Sequence, residues 1–293
     1  MKSAVPILLI LFLLCGSASA KTVRYIEPFF GDATSDNSFH IQVLKRALSL
    51  SEAKFGAISA QAIDTPMLQR RQFRALARAD IDVLWSMTSR ARELEARPIR
   101  IPLTMGLIGY RVFVIKQRDR HRFATLTSKA QLQQLLALQG HDWPDTEIMS
   151  SNGFKVRGVS WHQSMYKLLA EDKFDYFPRG VLEIGAEGEG LAAYALSIDS
   201  KWVLHYPAAS YFFVRHEDAS LAQRLEYGLA AMLQSGELKA MILNNPHHVN
   251  ALRMLNFSDR EFIRLDNPLL PDSTPTLDPK YWLTPQELSE LVY

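Results

Sequence analysis

The stretch RALARADIDVLWSMTSRARE, residues 74–93, contains the end of a helix, a short strand and a polar loop. Its beginning belongs to a helical pattern that covers residues 66–78. The run DIDVLW (80–85) is short and apolar, which predicts a buried strand. A loop rich in Ser and Thr, with two arginines, follows directly. This order of helix, buried strand and polar loop is typical of α/β proteins.

Short strands and helices alternate over most of the remaining chain. Strands are predicted at TVRYIE (22–27), AISAQAI (57–63), IGYRVFVIK (108–116), FDYF (174–177), YALSI (194–198), WVLHY (202–206) and YFFVRH (211–216). Helices are predicted from about Asn37 and over residues 128–140, 160–172 and 219–235. The tail from Asn245 is predicted to wrap the surface with little regular structure before a last short helix. The alternation predicts an α/β protein with largely parallel sheets.

Two strands of similar character, IGYRVFVIK (108–116) and YPAASYFFVRH (206–216), enclose a complete α/β unit. This arrangement predicts one lobe inserted into another, with the two strands as the hinge. The expected division is lobe 1 at residues 21–109 plus 215–293, with a C-terminal extension from about residue 245, and lobe 2 at residues 110–214.

The first segment, MKSAVPILLILFLLCGSASA (1–20), has the pattern of a cleavable signal peptide. An apolar run from Val5 to Leu14 precedes the small-residue sequence Ala18-Ser19-Ala20, and we expect the secreted product to start near Lys21. Cleavage would also remove Cys15, which is the only cysteine. We therefore expect no disulfide, no cysteine-bound metal and no cysteine nucleophile in the mature protein.

The charge of the chain is nearly balanced, with 33 Lys and Arg against 31 Asp and Glu. That balance argues against a partner that is a nucleic acid or an anionic membrane surface. Beyond the predicted signal peptide, no segment approaches about eighteen consecutive apolar residues, so we expect no membrane anchor. The sequence contains no Walker loop, no HExxH motif and no serine nucleophile elbow, and we expect no cofactor and no metal.

Four segments occur in the order of one known family. RALARADIDVLWSMTSRARE (74–93) resembles that family's helix, its G-x-x-D strand and its Ser/Thr loop followed by Arg. IPLTMGLIGYRVFVIK (101–116) resembles its first crossover, and KLLAEDKFDYF (167–177) its second-lobe helix and strand. YFFVRHEDASLAQRLEYGLAAMLQSGELKAMI (211–242) resembles the return crossover and the helix after it. Over residues 22–243 the chain thus resembles the type 2 periplasmic solute-binding proteins of extracellular family 3, typified by amino-acid receptors.

The resemblance implies a two-lobe α/β fold in which each lobe is a mostly parallel sheet flanked by helices and two crossover strands join the lobes. It implies a ligand between the lobes, where strand ends and helix N-termini converge. It also places the protein in the periplasm, as a binding protein and not an enzyme, with an ABC permease or a membrane sensor as partner.

The same resemblance places the candidate ligand contacts in four loops. Arg92 lies closest to the family's carboxylate-binding arginine, with Arg90 as the fallback, and a guanidinium can bind a carboxylate through two parallel hydrogen bonds. A capped helix start with a surface arginine is the alternative for this loop. The other candidates are Trp85, Ser86, Thr88 and Ser89 in the first loop, Phe30 and Asp32 near the N-terminus, Ser151 and Asn152 in a third loop, and Tyr176 beside Arg179.

Arg179 departs from the family pattern. Amino-acid receptors usually have an Asp near this position to bind the ligand's ammonium group, whereas this chain has Phe177-Pro178-Arg179. We expect the strand to break at Pro178 and Arg179 to project into the cleft, where it would bind an anion. A salt bridge to Glu183 or Glu187 is the alternative.

The two glutamates after Arg179 raise the possibility of catalysis by paired carboxylates. Glu183 and Glu187 are four residues apart, but the glycines among them argue against a regular helix there. We expect a solvated or arginine-paired surface instead. His247 and His248 follow each other in the chain and resemble a metal-binding pair. The side chains of adjacent residues diverge, so we expect both histidines to be solvated instead.

Together these observations predict a monomeric periplasmic protein that binds a small anionic or zwitterionic solute bearing a carboxylate. Two other functions stay open. One is a hydrolase on the same scaffold that uses Glu183 and Glu187. The other is an envelope protein that binds a macromolecular partner and no small ligand.

Overall fold

The structure is a computed structural model. It describes residues 21–26, 38–160, 162–255, 259–276 and 278–290. The predicted signal peptide and the candidate residues Phe30 and Asp32 lie outside these ranges, so their predictions stay as they are.

Strands and helices alternate through most of the described chain. The strands are β1 (Lys21–Ile26), β2 (Ile58–Ile63), β3 (Leu84–Met87), β4 (Arg97–Ile99), β5 (Tyr110–Lys116), β6 (Leu136–Gly140), β7 (Lys155–Val159), β8 (Tyr176–Gly180), β9 (Leu196–His205), β10 (Ser210–Val214) and β11 (Glu261–Arg264). The helices are α1 (Phe39–Phe55), α2 (Gln69–Ala77), α3 (Arg90–Glu95), α4 (Arg120–Thr125), α5 (Lys129–Gln134), α6 (Pro144–Ser151), α7 (His162–Ala170), α8 (Ile184–Ala193), α9 (Ala219–Gln234), α10 (Glu237–Asn244), α11 (Pro246–Leu255) and α12 (Pro285–Glu290).

The first group of strands consists of the parallel pair β1-β2 and a sheet in the order β3-β10-β4. The two parts are joined because the amides of Asp82 and Val83 donate to the carbonyl of Arg24 at 2.8 and 3.2 Å. Arg24 Nε also lies 2.8 Å from Asp82 Oδ2, which fixes the same junction by an ion pair. These strands and the helices α1–α3, α9 and α10 are called lobe 1 below.

Helices α1 and α9 pack closely on each other in lobe 1. A Cβ at Gly228 of α9 would overlap the backbone of Ala47 in α1, so only glycine permits this approach. The apolar face predicted for α1 is buried, with Val43, Leu44 and Ala47 fully enclosed. None of the described helices combines the length and apolar composition that a membrane crossing requires.

The second sheet has the order β11-β9-β5-β8-β6-β7. Helices α4, α6, α7 and α8 contact this sheet, and together with it and α5 they are called lobe 2 below. Its core contains tightly packed aromatic rings, among them Phe113 and Tyr176, whose centroids lie 4.7 Å apart.

Most strands run in one direction, as predicted: in the lobe 2 sheet β5 alone is antiparallel to the other five strands, and in the three-stranded sheet of lobe 1 β3 and β4 both run against β10. All of the antiparallel pairings among the described strands involve β5 or β10, which pair with β8 and β9 and with β3 and β4 respectively. These are the two strands that the sequence identified as crossovers. Each of them pairs within a single lobe, β5 in lobe 2 and β10 in lobe 1, and runs against the strands on both sides of it.

The expected lobe boundary at residue 214 needs correction, because β10 pairs within the lobe 1 sheet. We propose that the chain crosses between lobes at residues 105–109 and 206–209, just before β5 and β10. The tail also differs from the prediction. It forms the regular helix α11 and the strand β11, and β11 adds to the edge of the lobe 2 sheet beside β9.

The strand that carries Arg179 does not break at Pro178. Pro178 and Arg179 both lie in β8, opposite Phe113 and Val112 of β5. Proline is uncommon in an interior strand because it has no N–H to donate. The side chain of Gln139 bonds the Pro178 carbonyl from the other side at 3.0 Å, which supports the strand at this point.

Two further local predictions were wrong. The helix predicted over residues 128–140 is short: Ser128 caps it as expected, but it ends at Gln134, and Gly140 closes the parallel strand β6 instead. The glycine-rich segment after Arg179 is the regular helix α8, which the glycines had argued against. Gly185 in α8 lies where a Cβ would meet Ala251 of α11 at 2.9 Å, so this glycine permits helix packing.

Candidate functional site

The polar loop after β3 begins helix α3, and Ser89 is its N-cap. Ser89 Oγ accepts a hydrogen bond from the amide of Arg92 at 3.2 Å. Thr88 Oγ1 donates to Glu93 Oε1 at 2.7 Å, and the Thr88 amide donates to the carbonyl of Ala209 at 2.8 Å. Both hydroxyls therefore have structural partners, as the alternative of a capped helix start requires.

Arg92 does not lie on the surface, as that alternative would have it. Only 9 % of the residue is exposed. Its Nη1 donates to Ser86 Oγ at 2.6 Å and to the carbonyl of Met87 at 2.8 Å. Its Nη2 donates to Gln69 Oε1 at 2.6 Å and to the carbonyl of Asp142 at 3.0 Å. The guanidinium is thus enclosed by oxygens from both lobes.

All four of these acceptors are uncharged oxygens. Within the described part of the chain, no carboxylate forms an ion pair with Arg92. Burial lowers the pKa of Arg92 to about 10, although carboxylates such as that of Asp142 act to raise it. Arg92 therefore remains positively charged at neutral pH. A carboxylate that replaced some of its neutral acceptors would form stronger, charge-assisted hydrogen bonds.

Asp142, in the loop after β6, links the lobes at this place. Besides its carbonyl contact with Arg92, its Oδ2 accepts a hydrogen bond from the amide of Arg70 in α2 at 3.1 Å. Asp142 therefore contacts lobe 1 both at Arg92 and at the start of α2. Opening the lobes would break these contacts and expose the Arg92 guanidinium.

Trp85 lies in β3 directly before this loop, and its role as an apolar wall for a ligand stays a prediction. Its ring stacks on the imidazole of His40 with centroids 5.5 Å apart and an interplanar angle of 6°. Burial lowers the pKa of His40 to about 4, so this ring is neutral at neutral pH. Sequence reasoning missed His40, although an isolated histidine in the first turn of an amphipathic helix was the available signal.

Arg179 is buried and already holds an anion of the protein itself. Its Nε donates to Glu187 Oε2 at 2.9 Å and its Nη2 bonds Glu187 Oε1, so the pair is bidentate. Glu183 Oε2 lies 3.5 Å from its Nη1, and the hydroxyl of Tyr166 donates to Glu187. Burial alone would lower the pKa of Arg179, but the two carboxylates raise it well above its usual value.

Aromatic rings enclose the same guanidinium. Its central carbon lies 5.3 Å from the ring centroid of Trp143 and 5.0 Å from that of Phe177. Arg179 is only 3 % exposed, so it forms part of the interior of lobe 2. The salt-bridge alternative of the sequence analysis describes its contacts, whereas binding of a ligand by Arg179 stays a prediction.

A second buried arginine, Arg111 on β5, extends this network. Its Nη2 lies 2.7 Å from Asp145 Oδ1 and its Nη1 lies 3.1 Å from Glu183 Oε2. Its Nε donates to the hydroxyl of Tyr206 at 3.0 Å, and that hydroxyl donates to Asp145. The sequence analysis did not single out Arg111, though a lone arginine inside the apolar strand IGYRVFVIK was a usable signal.

The third-loop candidates bond to the protein away from Arg92. Ser151 Oγ donates to the carbonyl of Ile148 at 2.8 Å, and both residues belong to the end of α6, not to the start of a helix. Asn152 binds the tail: its Oδ1 accepts from the amide of Asp266 at 3.0 Å and its Nδ2 donates to the carbonyl of the same residue at 2.7 Å. Tyr176 is fully buried in the lobe 2 core.

The histidine pair in α11 divides between interior and surface. His248 is buried, and its Nδ1 lies 3.0 Å from the carbonyl of Ile242. That burial corrects the expectation that it is solvated. Within the residues that the structure describes, no cluster of three or more His, Cys, Asp and Glu side chains could hold a metal ion.

No protein-family model matches the chain, and no curated protein matches it significantly. Several solved structures share its fold. An ancestral arginine-binding protein bound to arginine is 16% identical with a TM-score of 0.56, over 75% of this chain and 96% of that one. A putative binding component of an ABC transporter from Wolinella succinogenes, complexed with lysine, is 13% identical with a TM-score of 0.56, over 76% and 94%.

A histidine kinase sensor domain with similarity to periplasmic binding proteins is 15% identical, with a TM-score of 0.55 over 76% of this chain and 94% of that one. At such identities a likeness shows the fold alone. The sheet order, the two crossover strands and these similarities together show that the chain has the two-lobe α/β fold of the type 2 periplasmic binding proteins.

Proposed function

We propose that the protein binds a small solute between its two lobes and that Arg92 binds an anionic group of that solute, in the first place a carboxylate. The observation that carries the proposal is the environment of Arg92. It is a buried guanidinium at the boundary between the lobes, and all of its acceptors are neutral. A buried charge is normally paired, and a ligand carboxylate would supply the missing partner.

The Trp85–His40 stack supports the same location for the solute. The tryptophan directly precedes Ser86, whose hydroxyl accepts a hydrogen bond from Arg92 at 2.6 Å. An apolar ring beside a fixed cation is the composition of a small-molecule site, where few polar groups set orientation and apolar walls supply contact area. His40 is uncharged at neutral pH and adds ring surface without adding a second positive charge.

The fold neighbours support an amino-acid-like ligand and suggest how binding is used. Two of them are described with arginine or lysine bound, one is a component of an ABC transporter, and one is a sensor domain. The protein acts in the periplasm as a monomeric binding protein, delivers its solute to an ABC permease or signals through a membrane sensor, and is not an enzyme. Solute binding stabilises the closed lobes, which the partner then recognises.

A thermal-shift screen tests the proposal. The chain from Lys21 onward is mixed with amino acids, mono- and dicarboxylates, sugars and short peptides, and the Tm is measured for the wild type and for Arg92→Gln. We expect a carboxylate-bearing solute to raise the Tm of the wild type but not that of Arg92→Gln. The matched control is Arg78→Gln, an exposed arginine of lobe 1 that pairs with Asp80.

A Tm increase of equal size in Arg92→Gln would contradict the role of Arg92. A screen with no hit would favour the second candidate function, a protein that binds a macromolecular partner. One observation supports that candidate: in the described structure, the candidate hydroxyl and amide groups of the first and third loops, the Arg92 guanidinium, and Nε and Nη2 of Arg179 are bonded within the protein.

The hydrolase alternative has less support. Catalysis by two carboxylates requires one of them to hold a proton for transfer to a leaving group. Glu187 instead forms a bidentate ion pair with Arg179, and Glu183 contacts both Arg111 and Arg179. One fold neighbour is described as a precursor of cyclohexadienyl dehydratase, so Glu183→Gln remains the variant with which to test turnover.

A further inference from the structure

The described residues of the C-terminal segment (246–255, 259–276 and 278–290), called the strap below, contact both lobes. Its first element, α11, follows α10 of lobe 1 and packs against α8 of lobe 2. The approach to α8 is close: a Cβ at Gly185 would overlap the carbonyl oxygen of His247 and lie 2.9 Å from Ala251 Cβ. Backbone and side chain of α11 thus rest directly on lobe 2.

The opposite side of α11 faces lobe 1. The ring of His248 packs against Phe39 of α1 with centroids 4.9 Å apart, and its Nδ1 bonds the carbonyl of Ile242 in α10. Helix α11 is therefore inserted between α1 and α10 on one side and α8 on the other. Any movement that separates α8 from α1 has to break one of these two contacts.

The middle of the strap is bound to lobe 2. Strand β11 pairs in parallel with β9 over Trp202–His205, and the amide of Leu265 donates to the carbonyl of His205 at 2.8 Å. The side chain of Asn152 forms hydrogen bonds with both the amide and the carbonyl of Asp266. Four consecutive residue pairs between β11 and β9 and the two hydrogen bonds of Asn152 fix this part of the chain to lobe 2.

The next residues are bound to lobe 1. The amide of Arg90 donates to the carbonyl of Leu269 at 3.0 Å, and its guanidinium bonds the carbonyl of Pro268 at 2.5 Å and the carboxylate of Asp272 at 2.8 Å. Farther on, Glu287 in α12 pairs with Lys239 of α10 at 2.7 Å. Between residues 266 and 268 the chain has passed from one lobe to the other.

The strap is thus a third connection between the lobes, next to the two crossovers, and it contacts both lobes again through α11. We infer that the strap holds the lobes closed in the absence of a solute. Closure would then precede binding, and solute entry would require α11 to leave α8. Opening has a cost set by the strap contacts, and a partner that displaced the strap would control access to the cleft.

Two glycines of α8 provide a matched pair of variants. Gly185→Ala places a methyl group against His247 and Ala251 and forces α11 away from α8. Gly190→Ala makes the same change of residue in the same helix, but its Cβ would meet nothing within 4 Å. Both substitutions alter helix propensity alike, so a difference between them reports the α8–α11 contact.

The experiment uses the chain from Lys21 onward, which has no native cysteine, and measures the distance between spin labels at Glu226→Cys in lobe 1 and Lys173→Cys in lobe 2, both exposed positions. The protein is unfolded and refolded before the measurement so that it carries no solute. We expect one short distance for the wild type and for Gly190→Ala, and a shift to longer distances for Gly185→Ala.

Equal distances in all three proteins would overturn the inference, and so would a wild type that is already open. If circular dichroism shows that Gly185→Ala does not refold, the double variant Arg90→Ala/Asn152→Ala tests the inference in its place. It releases the strap on both sides of the passage between the lobes, and it must shift the distance in the same direction. Because no solute is present, the outcome is independent of the role proposed for Arg92.

Discussion

Arg92 and Arg179 are both buried arginines, but Arg179 is paired with carboxylates and Arg92 is not. Arg179 in lobe 2 forms a bidentate pair with Glu187 and contacts Glu183. Arg92 at the lobe boundary donates hydrogen bonds to neutral oxygens, and its central carbon lies 5.5 Å from the ring centroid of Phe73. The first arginine is compensated inside the fold, whereas the second keeps a charge that an incoming anion can neutralise.

The difference shows why residue type alone does not identify a binding residue. Both arginines follow or end a buried strand, and both were candidates on sequence grounds. The two arginines differ in whether the fold brings an acidic side chain within ion-pair distance of the guanidinium. Glu187 lies one helix turn into α8, within reach of Arg179, while in the described structure no acid is placed within ion-pair distance of Arg92.

The largest expected effect comes from Arg179→Ala. Removal of the arginine leaves the buried Glu187 carboxylate without the cation that it pairs with, and breaking such an ion pair costs about 3–5 kcal/mol of the free energy of unfolding. Arg92→Ala removes a cation that has no carboxylate partner and should cost less. Urea unfolding of both variants, followed by fluorescence of the tryptophans, measures the difference. A loss in Arg92→Ala that equals or exceeds the loss in Arg179→Ala would break the comparison.

The double variant Arg179→Met/Glu187→Leu is the control for that prediction. It removes both charges together and leaves none unpaired, so it should recover most of the stability lost in Arg179→Ala. If the double variant is as unstable as Arg179→Ala, the loss reflects packing and not an unpaired charge.

A lower pH should also destabilise the protein, but by less than Arg179→Ala does. Burial lowers the pKa values of His40, beside Trp85, and of His248 to about 4, below the ordinary value of 6.5. Between these values the unfolded chain binds more protons than the folded one, so stability falls as the pH falls from about 6.5 to about 4. Each histidine should contribute on the order of 1–2 kcal/mol to the difference between pH 7 and pH 5.

Urea midpoints at pH 7 and pH 5 for the wild type and for His40→Gln measure this contribution. The variant should lose less stability on acidification than the wild type does. The exposed His121 is the control position, where His121→Gln makes the same change of residue. A pH dependence that is the same in all three proteins would contradict the burial of a neutral His40.

The smallest effect is expected from Ser89→Ala. Loss of the N-cap of α3 should cost about 1 kcal/mol of stability. Because the cap also fixes the amide of Arg92, the substitution should weaken solute binding less than Arg92→Gln does. Urea unfolding and a titration with the same solute test both parts. An affinity loss in Ser89→Ala as large as in Arg92→Gln would show that loop geometry, not the guanidinium charge, controls binding.

The fold was largely predictable because it depends on local patterns. Apolar runs located most of the strands, and the similarity between IGYRVFVIK and YPAASYFFVRH identified both crossovers. The errors occurred where tertiary contacts override local preference. Pro178 continues a strand because Gln139 and β5 support it from both sides, and α8 forms despite its glycines because Gly185 permits α11 to pack.

The candidate site was less predictable. Arg92, Trp85 and Ser89 became candidates together because they lie within eight residues of one another and belong to one motif, and their contact with a ligand stays a prediction. Sequence reasoning missed His40 and Arg111, whose partners come from distant segments. It also assigned the tail to the surface, since strand pairing between β11 and β9 is a contact that no local pattern encodes.

Calorimetric titration of the first solute that raises the Tm tests the central claim most directly. The measurement compares the wild type, Arg92→Gln and Arg179→Met/Glu187→Leu. Loss of a charge-assisted hydrogen bond should weaken the affinity of Arg92→Gln about 10- to 100-fold, while the double variant binds within a few-fold of the wild type. Wild-type affinity in Arg92→Gln, together with loss of binding in the double variant, would contradict the account.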